Sequence, residues 1–258
     1  MIELKTPEQI DKLRTANKYV AEILQYLKEQ TKPGITGVDI DKMAREQAEK
    51  RGVRPAFLGL YGFPASICIS INEEIIHGIP KDKPIKEGDI VSLDFGVVYD
   101  GWYGDAAISF VVGDKISDRK RRLLEGVENA LMEGIKASKP GNRIIDISKA
   151  IEQTIKNYRL AIICDYGGHG IGRKPHEEPH ISNCVVNSEN IPIQKGMVLA
   201  IEPMATLGKR ANYYRKLKDG WTIVSKDKSL SAHFEHSIAI TDKGIEVLSS
   251  LDDLVFEY

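Results

Sequence analysis

The sequence predicts an α+β fold of two similar half-modules, in which a mostly antiparallel sheet carries its helices on one outer face. Three observations lead to it. Four amphipathic helical patterns fall into two pairs, the same short motifs recur in both halves, and the stretch "VSLDFGVVYDGWYGDAAISF" (Val91 to Phe110) reads as a β-hairpin with acids inside its strands. The expected organisation is a single domain over residues 1–258, with internal halves of roughly 1–114 and 115–258.

The first helix opens at Thr6, with Pro7 at its first helical position and Gln9 placed for a capping box. Ile10, Leu13, Val20, Ile23, Leu24 and Leu27 share one stripe, and Pro33-Gly34 ends the run. A second helix is expected from about Val38 to Lys50, with Ile40, Met43, Ala44 and Ala48 inward, stopping near Gly52. The third begins after Ser117 and turns Leu123, Leu124, Val127, Leu131 and Ile135 to the core. The fourth does the same with Ile144, Ile147, Ile151, Ile155 and Tyr158.

These pairs carry a repeat. "KPGITGVDI" from Lys32 and "KPGNRIIDI" from Lys139 match at Lys-Pro-Gly and Asp-Ile with the same offset. "KEGDIVSLD", ending at Asp94, corresponds to "QKGMVLAIE", ending at Glu202; "DAAISF" from Asp105 corresponds to "EHSIAI" from Glu235. Four matches in one order indicate two modules related by a pseudo-two-fold.

Aspartate is depleted in strands, so Asp94 and Asp105 need a reason to be there. Alternation puts Val91, Leu93, Phe95 and Val97 on one face, and Ser92, Asp94, Gly96 and Val98 on the other. On the returning strand Tyr103, Asp105, Ala107 and Ser109 oppose Ile108, Phe110 and Val112. A loop at Tyr99-Asp100 sets the two aspartates directly opposite; a loop at Asp100-Gly101 makes them diagonal neighbours on the same face. Like charges so placed destabilise a sheet. In the second half Ala200 and Glu202 share a face, as do Glu235, Ser237 and Ala239, while Leu199, Ile201, Ile238 and Ile240 point away. Four carboxylates converging on one floor require a cation.

Other features bound the answer. With 36 basic and 37 acidic side chains the net charge is −1, which supplies no drive toward nucleic acid or anionic membrane. No apolar run is long enough to span a bilayer. The three cysteines, Cys68, Cys164 and Cys184, are an odd number without a CxxC pair. That pattern argues against a disulfide framework or zinc finger and fits a reducing cytoplasm. Gly168, Gly170 and Gly172 imitate a dinucleotide loop, but prolines follow where a helix would have to open. His176-Glu177-Glu178-Pro179-His180 matches HExxH, yet Pro179 breaks the helix that motif needs. His169, flanked by glycines, is the better nitrogen ligand. With four carboxylates it suits a pair of Mn, Fe, Co or Zn ions.

At these residues the sequence resembles the methionine aminopeptidases of the short type I form, which have the pita-bread fold. "INEEIIHGIP" (Ile71 to Pro80), "DFGVVYDGWYGDAA", "GGHGIG", "HEEP", "IEPM" and "EHSI" follow in family order across essentially the whole chain. The resemblance implies that Asp94, Asp105, His169, Glu202 and Glu235 ligate two divalent metal ions (Co, Mn, Fe or Zn). Asp105 and Glu235 would bridge both ions; Asp94 would complete one, and His169 with Glu202 the other. It also implies removal of N-terminal methionine from nascent proteins and peptides when the second residue is small. A water held between the ions would attack the scissile carbonyl. Glu202 would be the general base, His176 would stabilise the oxyanion and His77 would contact the leaving nitrogen. Leu60, Phe63, Cys68 and Trp221 would line the methionine pocket. Pro175 departs from the pattern, standing where the family often has an aromatic.

The resemblance further implies a cytoplasmic monomer acting on nascent N-termini. Basic clusters at Arg119-Lys120-Arg121-Arg122 and from Lys209 to Lys218 read as solvated faces. The first lies at a helix N-terminus, where cations are disfavoured, and offers a contact to a partner such as the ribosome. Two competitors are a proline-specific peptidase of the same fold, which usually carries an added N-terminal domain, and a non-enzymatic binding protein, which would have lost ligands.

Overall fold

The helices form where caps and stripes coincide. The structure, a computed structural model, describes residues 2–186, 190–252 and 254–257. Helix α1 (Pro7–Gln30) opens with the expected capping box: Gln9 N–H donates to Thr6 Oγ1 at 3.4 Å, and Thr6 N–H donates to Gln9 Oε1 at 2.9 Å. Helix α2 (Gly37–Lys50) starts one residue before the expected Val38, because Thr36 and Asp39 form a second capping box. Ser117 caps α3 (Asp118–Ala137), and α4 (Ile144–Asn157) follows after a short turn. All five apolar positions expected to anchor the α1 stripe beyond Ile10 are at most 2 % exposed.

Helices cover one face of a ten-stranded sheet whose pairings are all antiparallel. Its main path runs Arg54–Pro55, Ile90–Tyr99, Trp102–Val111, Glu235–Thr241, Val198–Ile201, Gly167–Gly170 and Glu177–Ser182. Two cores sit behind it. Val91, Leu93, Phe95 and Val97 pack with α1 and α2, and Leu199, Ile201, Ile238 and Ile240 pack with α3 and α4. The halves join where Glu235 pairs with Ala107 and His236 with Ala106. Apolar residues thus fill one side of adjacent strands and leave the alternate positions to the opposite side.

The hairpin turn is at Asp100-Gly101. Both residues have positive φ (49° and 76°), as a type I′ turn requires, and Tyr99 pairs with Trp102. Asp94 therefore pairs with Ala107 and Asp105 with Gly96, the diagonal register rather than the directly facing one. Neither decoy motif is helical: His176 precedes the Glu177–Ser182 strand, and Gly168 and Gly170 lie in its partner strand. A Cβ at Gly168 would lie 2.2 Å from the Ala200 carbonyl oxygen, and one at Gly170 would lie 2.3 Å from that of Glu178. Close strand approach explains these glycines.

One expectation is corrected. Cys164 and Cys184 form a disulfide, with Cα atoms 5.2 Å apart, and Cys68 alone is free. An odd count hid the pair because it arises from tertiary register. Gly167 pairs with Ser182, so the two chain ends leaving this hairpin emerge side by side with one cysteine on each.

Helix α1 also fixes part of the sheet's open face. Buried Asn17 donates to the Leu13 carbonyl at 2.9 Å and accepts from the Asp105 N–H at 3.1 Å. Ser237 Oγ donates to the Asp105 carbonyl at 2.8 Å, so the main chain of Asp105 is held from both sides. Replacing Asn17 with leucine leaves that N–H buried without an acceptor, at a cost of about 1–3 kcal/mol. Urea unfolding of the metal-free Asn17→Leu variant is expected to show this loss; an unchanged midpoint would contradict the role given to Asn17.

Candidate metal centre and active site

Five adjacent strands bring the expected acids together. Asp94 and Glu235 are both in register with Ala107, whose small side chain leaves the space between them open. Glu202 follows directly after the Val198–Ile201 strand, one step beyond the His236–Ile201 pair. His169 pairs with Ala200 in the next strand. Ligand atoms of Asp105, His169 and Glu235 all lie within 4.8 Å of one another. Asp94 and Glu202 lie on the same floor outside that tight group, and Glu202 Oε1 is 3.5 Å from His169 Nε2.

This floor fits a divalent cation. Asp105 Oδ1 and Glu235 Oε1 are buried without a hydrogen-bond partner among the described residues, an arrangement that costs free energy unless a positive group serves them. His169 Nδ1 lies 2.9 Å from the Gly170 carbonyl oxygen. A carbonyl can only accept, so in the neutral ring Nδ1 bears the proton and Nε2 presents a lone pair. That lone pair and Glu202 Oε1 are two electron-rich atoms at the separation expected for ligands sharing one ion at about 2.1 Å.

Electrostatics agree with the geometry. Burial, opposed by His233 and reinforced by Glu202, moves the Asp94 carboxyl up to about 7. Burial and then the neighbouring carboxylates push Asp105 and Glu235 well above the ordinary range. At Glu202 burial pushes upward too, but His233, His169 and His77 outweigh it and hold the carboxyl low. Glu202 is thus the acid on this floor that stays ionised most readily.

His77 and His176 flank the centre. His77 takes a left-handed backbone conformation (φ 57°), with Gly78 pressed so closely on the neighbouring strand that a Cβ would lie 2.2 Å from the Ile69 oxygen. Its ring packs edge-on to Tyr166 with centroids 5.8 Å apart. The His176 ring meets His169 edge-on at 4.5 Å while the residue stays accessible to solvent. Burial lowers both imidazoles to about 4, so each is neutral near pH 7 and carries one N–H. Buried Lys5 donates to Glu177 at 2.7 Å and steadies the segment next to His176.

The four expected pocket residues also meet. Leu60, Phe63, Cys68 and Trp221 belong to one apolar cluster, with Phe63 and Trp221 edge-to-face at 5.2 Å. Cys68 pairs with Asp94, so this cluster abuts the acidic floor. Burial and then the Asp94, Asp105 and Glu235 carboxylates raise the Cys68 thiol, which is therefore neutral. Pro175 brings no aromatic ring here; instead Tyr61 stacks on His176 at 6.2 Å. His180 is exposed in its strand, not on a helical face with His176.

The sequence reading missed His233. It is 2 % exposed, and its Nε2 lies 3.4 Å from Glu202 Oε2. Burial lowers this imidazole, but Glu202 and then Asp94 more than reverse that, leaving it raised. A signal was present in "SAHFEHS": His233 stands two positions before Glu235, the spacing at which strand residues share a face.

Residues 11–242 match metallopeptidase family M24. A methionine aminopeptidase of Aquifex aeolicus is 46 % identical over 259 residues, spanning 97 % of this chain and 99 % of that protein. The crystal structure of a Thermotoga maritima methionine aminopeptidase superposes with a TM-score of 0.92 at 43 % identity, over 97 % of this chain and 100 % of that one. A Pyrococcus furiosus prolidase shares the fold at 23 % identity and a TM-score of 0.76, over 96 % of this chain but 66 % of its own. The architecture is the pita-bread α+β fold, and the chain belongs to metallopeptidase family M24.

Proposed function

We propose that this chain is a methionyl aminopeptidase that removes N-terminal methionine from nascent chains and peptides whose second residue is small. The observation that carries this reading is the junction of the acidic floor with the Leu60, Phe63, Cys68 and Trp221 cluster through the Cys68–Asp94 strand pair. Identity of 46 % to a methionine aminopeptidase, against 23 % to a prolidase, supports it over a proline-specific peptidase. Two divalent ions are proposed, held by Asp94, Asp105, His169, Glu202 and Glu235. When bound they would acidify a water and polarise a carbonyl.

The protein's own groups account for the rest. The apolar cluster takes the methionine side chain, and the neutral Cys68 thiol offers a polarisable contact to its sulfur. Glu202 is the base: ionised beside two imidazoles, it accepts the proton of the attacking water and passes it to the departing amine. His176 and His77, each neutral with one N–H, donate to the developing oxyanion and contact the leaving nitrogen respectively. The proposed setting is a cytoplasmic monomer. The exposed Arg119, Arg121 and Arg122 offer a ribosome contact, while Lys120 is engaged with the Gly88 carbonyl.

Three outcomes are expected. Among Met-Ala-X, Ala-Ala-X and X-Pro peptides only the first should be cleaved efficiently, with turnover abolished by chelation and restored by Mn, Fe or Co; preferential cleavage of X-Pro would replace this reading with the prolidase one. Glu202→Gln should keep the fold by circular dichroism yet lower kcat about 100-fold or more, and wild-type turnover would remove Glu202 as base. The third outcome concerns pH. A carboxyl whose folded pKa is raised favours folding while protonated, and that contribution is lost as pH climbs from the ordinary carboxylate range through the folded value, about 7 for Asp94. A bound cation reverses this, and protons compete with it. The rise in Tm on adding Mn should therefore be larger at about pH 8 than at about pH 5.5; an equal or inverted pair of shifts would contradict the assignment of the raised acids to the ion.

A further inference from the structure

Glu202 lies between two imidazoles that differ in what their ring nitrogens can do. On one side His169 has its Nδ1 proton committed to the Gly170 carbonyl, so Nε2 meets Glu202 Oε1 as a lone pair. On the other side His233 Nε2 is buried without a hydrogen-bond partner among the described residues, and Glu202 Oε2 stands 3.4 Å away. A lone pair there would face a carboxylate oxygen in a site closed to water, with nothing between them. The stable arrangement puts the proton on Nε2.

His233 is also held rigidly. Its N–H donates to Ser109 Oγ at 3.0 Å, and that same hydroxyl donates to the His233 carbonyl at 2.7 Å. Across the small Met204–Thr206 and Ser231–His233 sheet, His233 pairs with Met204, two residues beyond Glu202. Phe234 N–H donates to the Pro203 carbonyl at 3.3 Å. The backbones of His233 and Glu202 are thus tied together, which fixes the points from which the two side chains reach each other. His233 stays outside the group formed by Asp105, His169 and Glu235.

We propose that His233 is a positioning residue for Glu202: its Nε2–H holds Oε2, which turns Oε1 toward the cation side shared with His169. This rests on the metallo-aminopeptidase reading. In it the carboxylate has one orientation imposed by the protein before any ion arrives, so less ordering remains when the ion binds. Groups that orient metal ligands in this way typically contribute 10- to 100-fold in affinity or activity, about what loss of this donor should remove.

Glutamine and leucine at position 233 separate this role from a purely space-filling one. A glutamine amide can still donate to Glu202, whereas leucine fills the space without a donor. Wild-type, His233→Gln and His233→Leu chains, stripped of metal, are titrated with cobalt by calorimetry while the visible spectrum of the cobalt form is recorded. Expected are a glutamine variant within about threefold of wild type with an unchanged spectrum, and a leucine variant weakened about 10- to 100-fold. In Met-Ala-X cleavage the leucine variant should lose kcat with KM little changed. Wild-type affinity and kcat in a folded leucine variant would overturn the proposal. So would a glutamine variant as weak as the leucine one with an altered cobalt spectrum, which would make His233 a ligand. Should the leucine chain fail to fold, His233→Met, which also fills the space without a donor, takes its place: weakened cobalt affinity beside a retained glutamine variant upholds the proposal, and wild-type affinity overturns it. Absence of cobalt binding in the wild type would instead remove the metal reading on which the proposal stands.

Discussion

Crowding of like charge in a buried sheet face is the constraint on which the rest of the structure depends. Asp105 and Glu235 each hold a buried carboxylate oxygen that no protein donor reaches, and Asp94 stands beside them with its carboxyl raised to about 7. Desolvation and mutual repulsion oppose ionisation of the group, and among the described residues no lysine or arginine offsets them at Asp105 or Glu235. Such a site persists because the face behind it is strongly apolar. Two cores, each under its own pair of helices, hold the strands in a register that the acids alone would disfavour. Stability is made on one side of the sheet and spent on the other, and a divalent cation offsets the difference.

The parts legible in the sequence were those set by local period. Strand alternation separated Leu93 and Phe95 from Asp94, and Thr6 and Ser117 marked where two helices begin. The repeat made the placement of Glu202 and Glu235 readable from Asp94 and Asp105. Motif order carried the family and its expected ligands. Less legible was anything decided by how separate segments meet. The turn at Asp100-Gly101 was one of two options until positive φ at both residues selected the diagonal register.

The disulfide and Asn17 illustrate that limit. Cys164 and Cys184 are neighbours because a hairpin returns, and cysteine counting carries no information about a return. Asn17 stood outside the apolar stripe named for the first helix, and only the fold shows that it supplies the acceptor for the Asp105 N–H. Tyr61 is similar. Loss of an aromatic at Pro175 was visible in the sequence, but a ring arriving at His176 from a distant left-handed turn was not. In each case the residue type was known and its partner lay across the fold.

The two imidazoles at Glu202 carry this argument to the atom. His169 and His233 are the same residue type, both buried, at 3.5 and 3.4 Å from opposite oxygens of one carboxylate. Their difference comes from the other contacts. At His169 a neighbouring carbonyl claims the Nδ1 proton, which frees Nε2 as an electron-pair donor. At His233 the strand ties the backbone, and Nε2 faces Glu202 Oε2 with no hydrogen-bond partner among the described residues. A carboxylate between a lone pair and an N–H is asymmetric: one oxygen is committed to the protein and the other is left for a cation. A base that must also face a metal needs that asymmetry, because a carboxylate free to rotate would satisfy the ion in several ways and present its basic oxygen in only some of them. The orientation of the Glu202 carboxylate is therefore set as much by where two protons sit as by where the acids are.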